Sequence, residues 1–123
     1  MRILVVDDEH DIREFLIMAL DIEGWEVRTA ASGSEAIAVL PEFAPDVIVL
    51  DQMMPGLRGT DVARHVRGQG YAGPIVLFSG FISAQVEDEL ADLGITPVSK
   101  PDNDALLRIL HAFAAERERG HAV

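Results

Sequence analysis

Short apolar runs alternate along the chain with segments in which apolar residues recur at helical spacing, and this alternation limits the possible folds more than any other feature. WEVRTA (25–30) alternates apolar and polar residues, as a flanking strand does. Pro97 makes ITPVS (95–99) the weakest of five predicted strands. The other three runs are almost wholly apolar, as expected of strands buried on both faces: ILVV (3–6), VIVL (47–50) and PIVLF (74–78).

Each predicted strand is followed by a predicted amphipathic helix. Gly24 is expected to end the first helix, because glycine readily adopts the left-handed conformation that closes helices. Ser32 and Glu35 have the spacing of a capping box at the start of the second helix, and Pro41 and Pro45 are predicted to close it. The residues expected to face the core are Ile12, Phe15, Leu16, Ala19, Leu20, Ala36, Ile37, Leu40, Val62, Ala63, Val66, Val86, Leu90, Leu93, Leu106, Leu107, Leu110, Phe113 and Ala114.

Five β/α units in 123 residues predict one domain, spanning residues 1–123, of the α/β class. The expected architecture is a doubly wound, five-stranded parallel sheet with helices on both faces and the flavodoxin-like strand order 2-1-3-4-5. The chain shows no internal repeat, linker or low-complexity segment, and no effector domain is expected within it.

Composition argues against several classes of function. The formal net charge of −11 disfavours direct nucleic-acid binding and a polybasic membrane anchor, because both need clustered positive charge. The sequence has no cysteine, so it can form no disulfide framework and carry out no thiol chemistry. Acidic residues follow the four apolar residues of ILVV, which makes this run too short for a signal peptide. No apolar run is long enough to span a membrane. We therefore expect a soluble cytoplasmic domain without membrane insertion.

Polar side chains follow four of the predicted strands. Asp7 and Asp8 follow the first strand, Asp51 the third, Ser79 the fourth and Lys100 the fifth. Ligands of doubly wound sheets bind outside the carboxyl ends of the strands, at the point where the strand order reverses. In the order 2-1-3-4-5 the first and third strands are neighbours, so three carboxylates are expected to crowd together there.

This set of side chains indicates phosphoryl chemistry. Three neighbouring carboxylates cannot all stay ionised without a compensating charge, and Mg²⁺ suits a site with a few carboxylates, a carbonyl group and several waters. Lys100 supplies a mobile positive charge and Ser79 a hydroxyl donor. A carboxylate beside a cation, a lysine and a hydroxyl is equipped to accept a phosphoryl group as an aspartyl phosphate. We interpret Asp51 as that nucleophile.

Each of these residues alone also has an ordinary structural explanation. Asp7 and Asp8 could favour the start of the first helix through their negative charge. Lys100 could be a surface lysine before a turn, and Ser79 a hydroxyl bonded to the backbone. Asp51 is harder to explain in this way, because the turn in DQMMPG needs no acid. A structural explanation of all five requires coincidence at four strand ends, so the functional interpretation is favoured.

Four segments make the sequence similar to a known family. In order they are ILVVDDE (3–9), VIVLDQMMPGLRG (47–59), PIVLFSG (74–80) and VSKP (98–101). Together they resemble the receiver domain of two-component response regulators, which has the CheY-like fold, and the resemblance covers nearly the whole chain. It implies a signalling switch that accepts a phosphoryl group from a histidine kinase or a histidine phosphotransfer protein and then changes its binding to an output partner.

The resemblance also implies roles for the acidic residues. Asp51 corresponds to the phosphoacceptor and to one ligand of Mg²⁺. Asp8 corresponds to a direct metal ligand, and Asp7 to a residue that acts on the metal mainly through water. The backbone carbonyl of Met53 corresponds to the remaining protein ligand.

The implied switch involves the ends of the fourth and fifth strands. Ser79 corresponds to the switch hydroxyl, and Lys100 to the lysine that contacts a phosphoryl oxygen and is joined to Pro101 by a cis bond. Pro97 stands where many members carry Tyr or Phe, whose ring moves inward on phosphorylation. We therefore expect the switch to be read mainly through the loop after Ser79, with Phe78 or Phe81 repacking beside the fourth helix. The expected output face comprises the fourth helix, fifth strand and fifth helix.

Three functional interpretations stay open. The favoured one is a regulatory binding module that catalyses its own phosphorylation and dephosphorylation, either as a stand-alone regulator or as part of a hybrid sensor kinase or longer regulator. A phosphatase of the haloacid-dehalogenase type also uses an aspartyl nucleophile and Mg²⁺, but it needs a second acid where this chain has Met53. The third is a receiver-like interaction domain that never accepts phosphate, and the complete acceptor set argues against it.

Overall fold

The computed structural model describes residues 1–80 and 82–121, and within them five strands alternate with five helices. Phe81, assigned above to the switch loop, lies outside the described residues. In chain order the elements are β1 (Arg2–Val6), α1 (His10–Ile22), β2 (Glu26–Ala30), α2 (Gly33–Phe43), β3 (Val47–Leu50), α3 (Gly59–Gly68), β4 (Ile75–Ser79), α4 (Ala84–Leu93), β5 (Ile95–Ser99) and α5 (Asn103–His121).

All five strands form one parallel sheet in the order β2-β1-β3-β4-β5, which confirms the predicted α/β fold. The register pairs Val6 with Leu50 and Leu50 with Leu77. Between β4 and the outermost strand β5, Ser79 pairs with Ser99. Because the strands are parallel and in this register, the residues that follow β1, β3, β4 and β5 all emerge at the same edge of the sheet.

The helices cover both faces of the sheet. Because both faces are covered, every residue of β3 and β4 is buried, which accounts for their nearly continuous apolar sequences. Full burial of one large apolar side chain contributes about 1.5–3 kcal/mol to stability. One core, against α2, α3 and α4, includes Leu4, Phe43, Ile48, Val66, Leu77 and Leu90. The other core, against α1 and α5, includes Ile3, Leu16, Leu20, Val49, Val76, Leu106 and Leu110.

The edge strands are only partly buried, and β5 forms in spite of its proline. Pro97 pairs in register with Leu77 and is exposed. Proline is tolerated here because an edge strand is hydrogen-bonded to a neighbour on one side only. Ile95 and Val98 are the buried residues of β5 and attach it to the core.

Two local predictions about the helices are wrong. Pro41 does not end α2, which continues to Phe43 and closes at Ala44, a residue with φ of 49° whose N–H donates to the Leu40 carbonyl. A proline near the end removes a single helical hydrogen bond, and the burial of Phe43 holds the last turn in place. Phe15 is 46 % exposed rather than in the core, because α1 turns the stripe through Leu16 towards the sheet.

Other helix ends agree with the sequence. The Glu35 N–H donates to the Ser32 Oγ at 3.1 Å, and the Glu35 carboxylate accepts from the Ala31 N–H at 3.0 Å. This is the predicted capping box, with the return bond displaced by one residue. Gly24 follows the end of α1 with φ of 82°, a conformation in which side chains other than glycine are strained.

Candidate functional site

Three carboxylates converge at the carboxyl edge of the sheet, where β1 and β3 lie side by side. Asp7 and Asp51 follow the paired residues Val6 and Leu50 and are only 2 % and 5 % exposed, whereas Asp8 is exposed. One oxygen from each of the three carboxylates lies within 4.8 Å of the other two. The cluster predicted from the sequence is therefore present, and it exists because the two strands end at the same level.

Lys100 reaches this cluster from the end of β5. Its Nζ lies 2.6 Å from Oδ2 of Asp7 and 3.4 Å from Oδ1 of Asp51. Its backbone N–H donates to the Ser79 carbonyl at 2.9 Å, and its peptide bond to Pro101 is cis, as the family resemblance implies. One ammonium group thus faces three carboxylates, so the cluster keeps an excess of negative charge.

Burial and charge act against each other on the two central groups. Burial raises the pKa of Asp51, the Lys100 ammonium lowers it and the Asp7 carboxylate raises it again, and the net pKa lies above the ordinary value. Burial lowers the pKa of Lys100, but the hydrogen bond to Asp7 and the charge of Asp51 outweigh it and raise that pKa. Asp51 would therefore gain from a further positive charge nearby, because such a charge favours the ionised carboxylate.

We predict that the pKa of Lys100 lies above that of an ordinary lysine. It is the only lysine in the sequence, so its side-chain NMR signals can be followed without ambiguity. Because its folded pKa is raised, the ion pair stabilises the fold fully below the unfolded pKa of about 10.4, and this contribution is lost as pH rises through the folded pKa. Asp51→Asn should lower the midpoint of the Lys100 titration, since it removes one of the two carboxylates that lie beside the ammonium group. A wild-type midpoint at or below the unfolded value would contradict the prediction.

Ser79 and a cavity complete the surroundings of Asp51. The Ser79 hydroxyl is buried and donates a hydrogen bond to the Asp51 carboxylate, which lowers the pKa of Asp51. A larger cavity of about 460 Å³ lies at the opposite edge of the sheet, lined partly by Met1 and Pro74, and contains none of the predicted site residues. A smaller cavity of about 270 Å³ borders the acidic cluster and is lined by Glu9, Asp51, Met53, Ser79, Gly80 and Lys100.

Polar residues that the sequence analysis misses hold the loop after Asp51. The Thr60 N–H donates to Gln52 Oε1 at 2.9 Å, and Gln52 Nε2 donates to Thr60 Oγ1 at 3.2 Å. The Gly59 N–H donates to the Gln52 carbonyl at 3.2 Å. Arg13 is a further missed residue, since its guanidinium donates to the Asp7 carbonyl at 2.8 Å. A glutamine directly after Asp51 is a visible signal, but its burial follows only from the way α3 folds back.

A CheY-like sheet with an acidic site at the point where its strand order reverses defines a class of signalling domains, and the comparisons with known proteins agree. Residues 3–111 match the family described as the response regulator receiver domain. The chain therefore belongs to the response regulator receiver domain family of two-component systems.

Curated relatives include two regulators of Mycobacterium tuberculosis. The probable transcriptional regulatory protein TcrX is 42 % identical over 102 residues, which cover 80 % of this chain and 43 % of TcrX. The response regulator MprA is 43 % identical over 79 residues, which cover 64 % of this chain and 34 % of MprA. The chain thus spans less than half the length of these relatives.

Solved structures of response regulators share the fold. The chemotaxis protein CheY4 of Vibrio cholerae has a TM-score of 0.84 at 34 % identity, over 91 % of this chain and 97 % of that one. The response regulator TrrA of Thermotoga maritima, in complex with Mg²⁺-BeF, has a TM-score of 0.81 at 32 % identity, over 91 % of this chain and 97 % of TrrA. In the part of this chain that the structure describes, no helix is both long enough and apolar enough to cross a membrane.

Proposed function

We propose that the chain is a phosphorylation-controlled switch in which Asp51 accepts a phosphoryl group from a histidine kinase or a histidine phosphotransfer protein. The observation that carries the proposal is the environment of Asp51. This carboxylate is almost buried, borders the 270 Å³ cavity, and lies 3.4 Å from the Lys100 ammonium. Membership of the receiver family gives independent support.

The transfer needs one bond to form and one to break. A carboxylate oxygen of Asp51 attacks the phosphorus of the donor phosphohistidine, the new O–P bond forms as the P–N bond breaks, and the electron pair leaves with the imidazole nitrogen. The Lys100 ammonium and the Ser79 hydroxyl both contact the Asp51 carboxylate already. They are placed to donate to the oxygens of the incoming group and so stabilise its negative charge.

The acidic cluster suits Mg²⁺. Three carboxylates and one ammonium leave a formal charge of −2 among oxygen ligands, and hard divalent cations prefer such a set. Asp8, Asp51 and the Met53 carbonyl would hold the ion directly, and Asp7 would act on it mainly through water, since Lys100 already occupies one Asp7 oxygen. When bound, the ion neutralises oxygens of the transferred group. The Mg²⁺-BeF complex of TrrA supports this assignment by analogy.

The remaining expectations concern the setting of the switch. We infer that residues 1–123 act as one cytoplasmic receiver unit and that the output partner binds the face formed by α4, β5 and α5. TcrX is described as a transcriptional regulatory protein, and the chain covers 43 % of it, so the unit fits either a stand-alone regulator or the receiver of a longer one. Direct contact with nucleic acid is disfavoured by the net charge of −11.

Acetyl phosphate provides the direct test. With Mg²⁺ we expect mass spectrometry to show one labile phosphoryl adduct, which hydroxylamine removes because it is an acyl phosphate on Asp51. Chelation of the metal should prevent the adduct. Failure to form any adduct would identify an interaction domain that does not accept phosphate, and sustained release of phosphate over many turnovers would identify a phosphatase.

A further inference from the structure

Gln52 links the phosphorylation site to the start of α3. Its side chain is 3 % exposed, and both ends of its amide are bonded to Thr60, which is itself 4 % exposed. Its carbonyl accepts from the Gly59 N–H. Three hydrogen bonds therefore close residues 52–60 into a loop, directly beside the carboxylate that is proposed to react.

The helix start explains why a buried glutamine fits this position. The first N–H groups of a helix have no partner within the helix and need one from outside. Arg58 precedes α3 but has no acceptor atom in its side chain, so it cannot supply a cap. Gln52 Oε1 accepts from the Thr60 N–H instead, at 2.9 Å. A residue of the site loop thus acts as the cap of α3 at a distance.

The same contacts fix the backbone that carries the Met53 carbonyl. The Met53 side chain is 62 % exposed, but its two neighbours, Gln52 and Met54, are 3 % and 7 % exposed. Met54 packs in the apolar core on the α3 side of the sheet. The exposed Met53 thus lies between two buried residues, with the hydrogen-bonded Gln52 on one side and the apolar Met54 on the other.

We infer that Gln52 is a positioning residue of the phosphorylation site: its bonds to Thr60 hold the backbone between Asp51 and Met53 in the conformation that binds a divalent cation. This inference rests on the proposed function and assigns to Gln52 and Thr60 a role in metal affinity. Residues that orient metal ligands from outside typically change affinity 10–100-fold when they are replaced.

The test compares variants by their Mg²⁺ affinity, measured without any phosphodonor from NMR shifts of the site. Gln52→Leu removes both side-chain bonds at similar volume, and we expect the dissociation constant to rise about tenfold. Thr60→Val removes only the hydroxyl and should give a smaller increase, whereas Thr60→Ser, which keeps the hydroxyl, should bind as the wild type does. Val66→Ala, a buried change in the same helix, is the control for lost stability and should bind normally.

Each outcome decides the inference. It is supported if the affinity falls in Gln52→Leu and Thr60→Val while Thr60→Ser and Val66→Ala bind Mg²⁺ normally. It is overturned if both bond-removing variants keep wild-type affinity, or if Val66→Ala loses affinity to the same extent. Should Gln52→Leu not fold, the comparison of Thr60→Val with Thr60→Ser decides alone. Wild-type protein that binds Mg²⁺ but never accepts a phosphoryl group would refute the proposed function and leave the metal affinities as a separate test of Gln52.

Discussion

Asp51→Asn should abolish phosphorylation by acetyl phosphate and by any histidine-bearing donor. The amide has no ionised oxygen to attack phosphorus, and no other carboxylate of the cluster can replace it equally. Asp7 is tied to Lys100 at 2.6 Å, and Asp8 is exposed. We expect no adduct by mass spectrometry under conditions that modify the wild type fully. Asp8→Asn is the matched variant, and it should keep the acceptor but need more Mg²⁺, because it loses only a ligand.

The same substitution should leave the fold intact and more stable without metal. The folded pKa of Asp51 is raised, so its favourable contribution is present when the group is protonated at low pH and is lost as pH rises through that pKa. Asparagine mimics the neutral form at every pH. We therefore expect Asp51→Asn to unfold at a higher temperature than the wild type near pH 7, and the difference to disappear in acid.

One result would contradict the assignment of Asp51 as the nucleophile: a phosphoryl adduct of normal yield in Asp51→Asn, located by peptide mapping on a serine or histidine. A variant that fails to fold would contradict only the stability prediction, because loss of the adduct from an unfolded chain says nothing about the nucleophile. Thermal unfolding and an unchanged NMR spectrum away from the site separate these cases.

The sequence predicts the acidic cluster well because its residues directly follow the ends of buried strands. A strand buried on both faces must be apolar, so the first charged residue after it marks the edge of the sheet. Asp7 and Asp51 are found in this way, and the parallel register then brings them together. Lys100 is found in the same way, although β5 contains Pro97, because Ser79 and Ser99 pair at the same level.

The features that the sequence does not predict depend on tertiary packing. Gln52 is an ordinary polar loop residue until α3 folds over it and buries its amide against Thr60. Pro41 stays within α2 because a core contact of Phe43 outweighs the lost hydrogen bond. Helical periodicity gives the buried stripe of α1 only to within one residue, so it does not distinguish Phe15 from its neighbour Leu16.

Gly59→Ala should be one of the most damaging glycine-to-alanine changes in this chain, because Gly59 is buried where the start of α3 packs against the Asp51 backbone. An added Cβ would lie 2.9 Å from Leu77 Cδ1 and still closer to the Asp51 carbonyl oxygen. Backbone cannot yield as a flexible side chain can, so the start of α3 must move away from β3. We expect the free energy of unfolding to fall by about 1–3 kcal/mol because of the added methyl group, and by about 1 kcal/mol more because the hydrogen bonds to Gln52 are weakened.

The expected damage is functional as well as structural, and Gly68→Ala shows how to separate the two. An added Cβ at Gly68, in the same helix, meets nothing within 4 Å, so this variant should be neutral or more stable by up to about 1 kcal/mol. Urea unfolding gives both stabilities, and acetyl phosphate labelling of the folded fraction gives both rates. Gly59→Ala should be labelled at least several-fold more slowly than Gly68→Ala, because the displaced helix carries the Asp51–Met53 backbone with it. Equal stability and equal labelling of the two variants would show that α3 does not constrain the site.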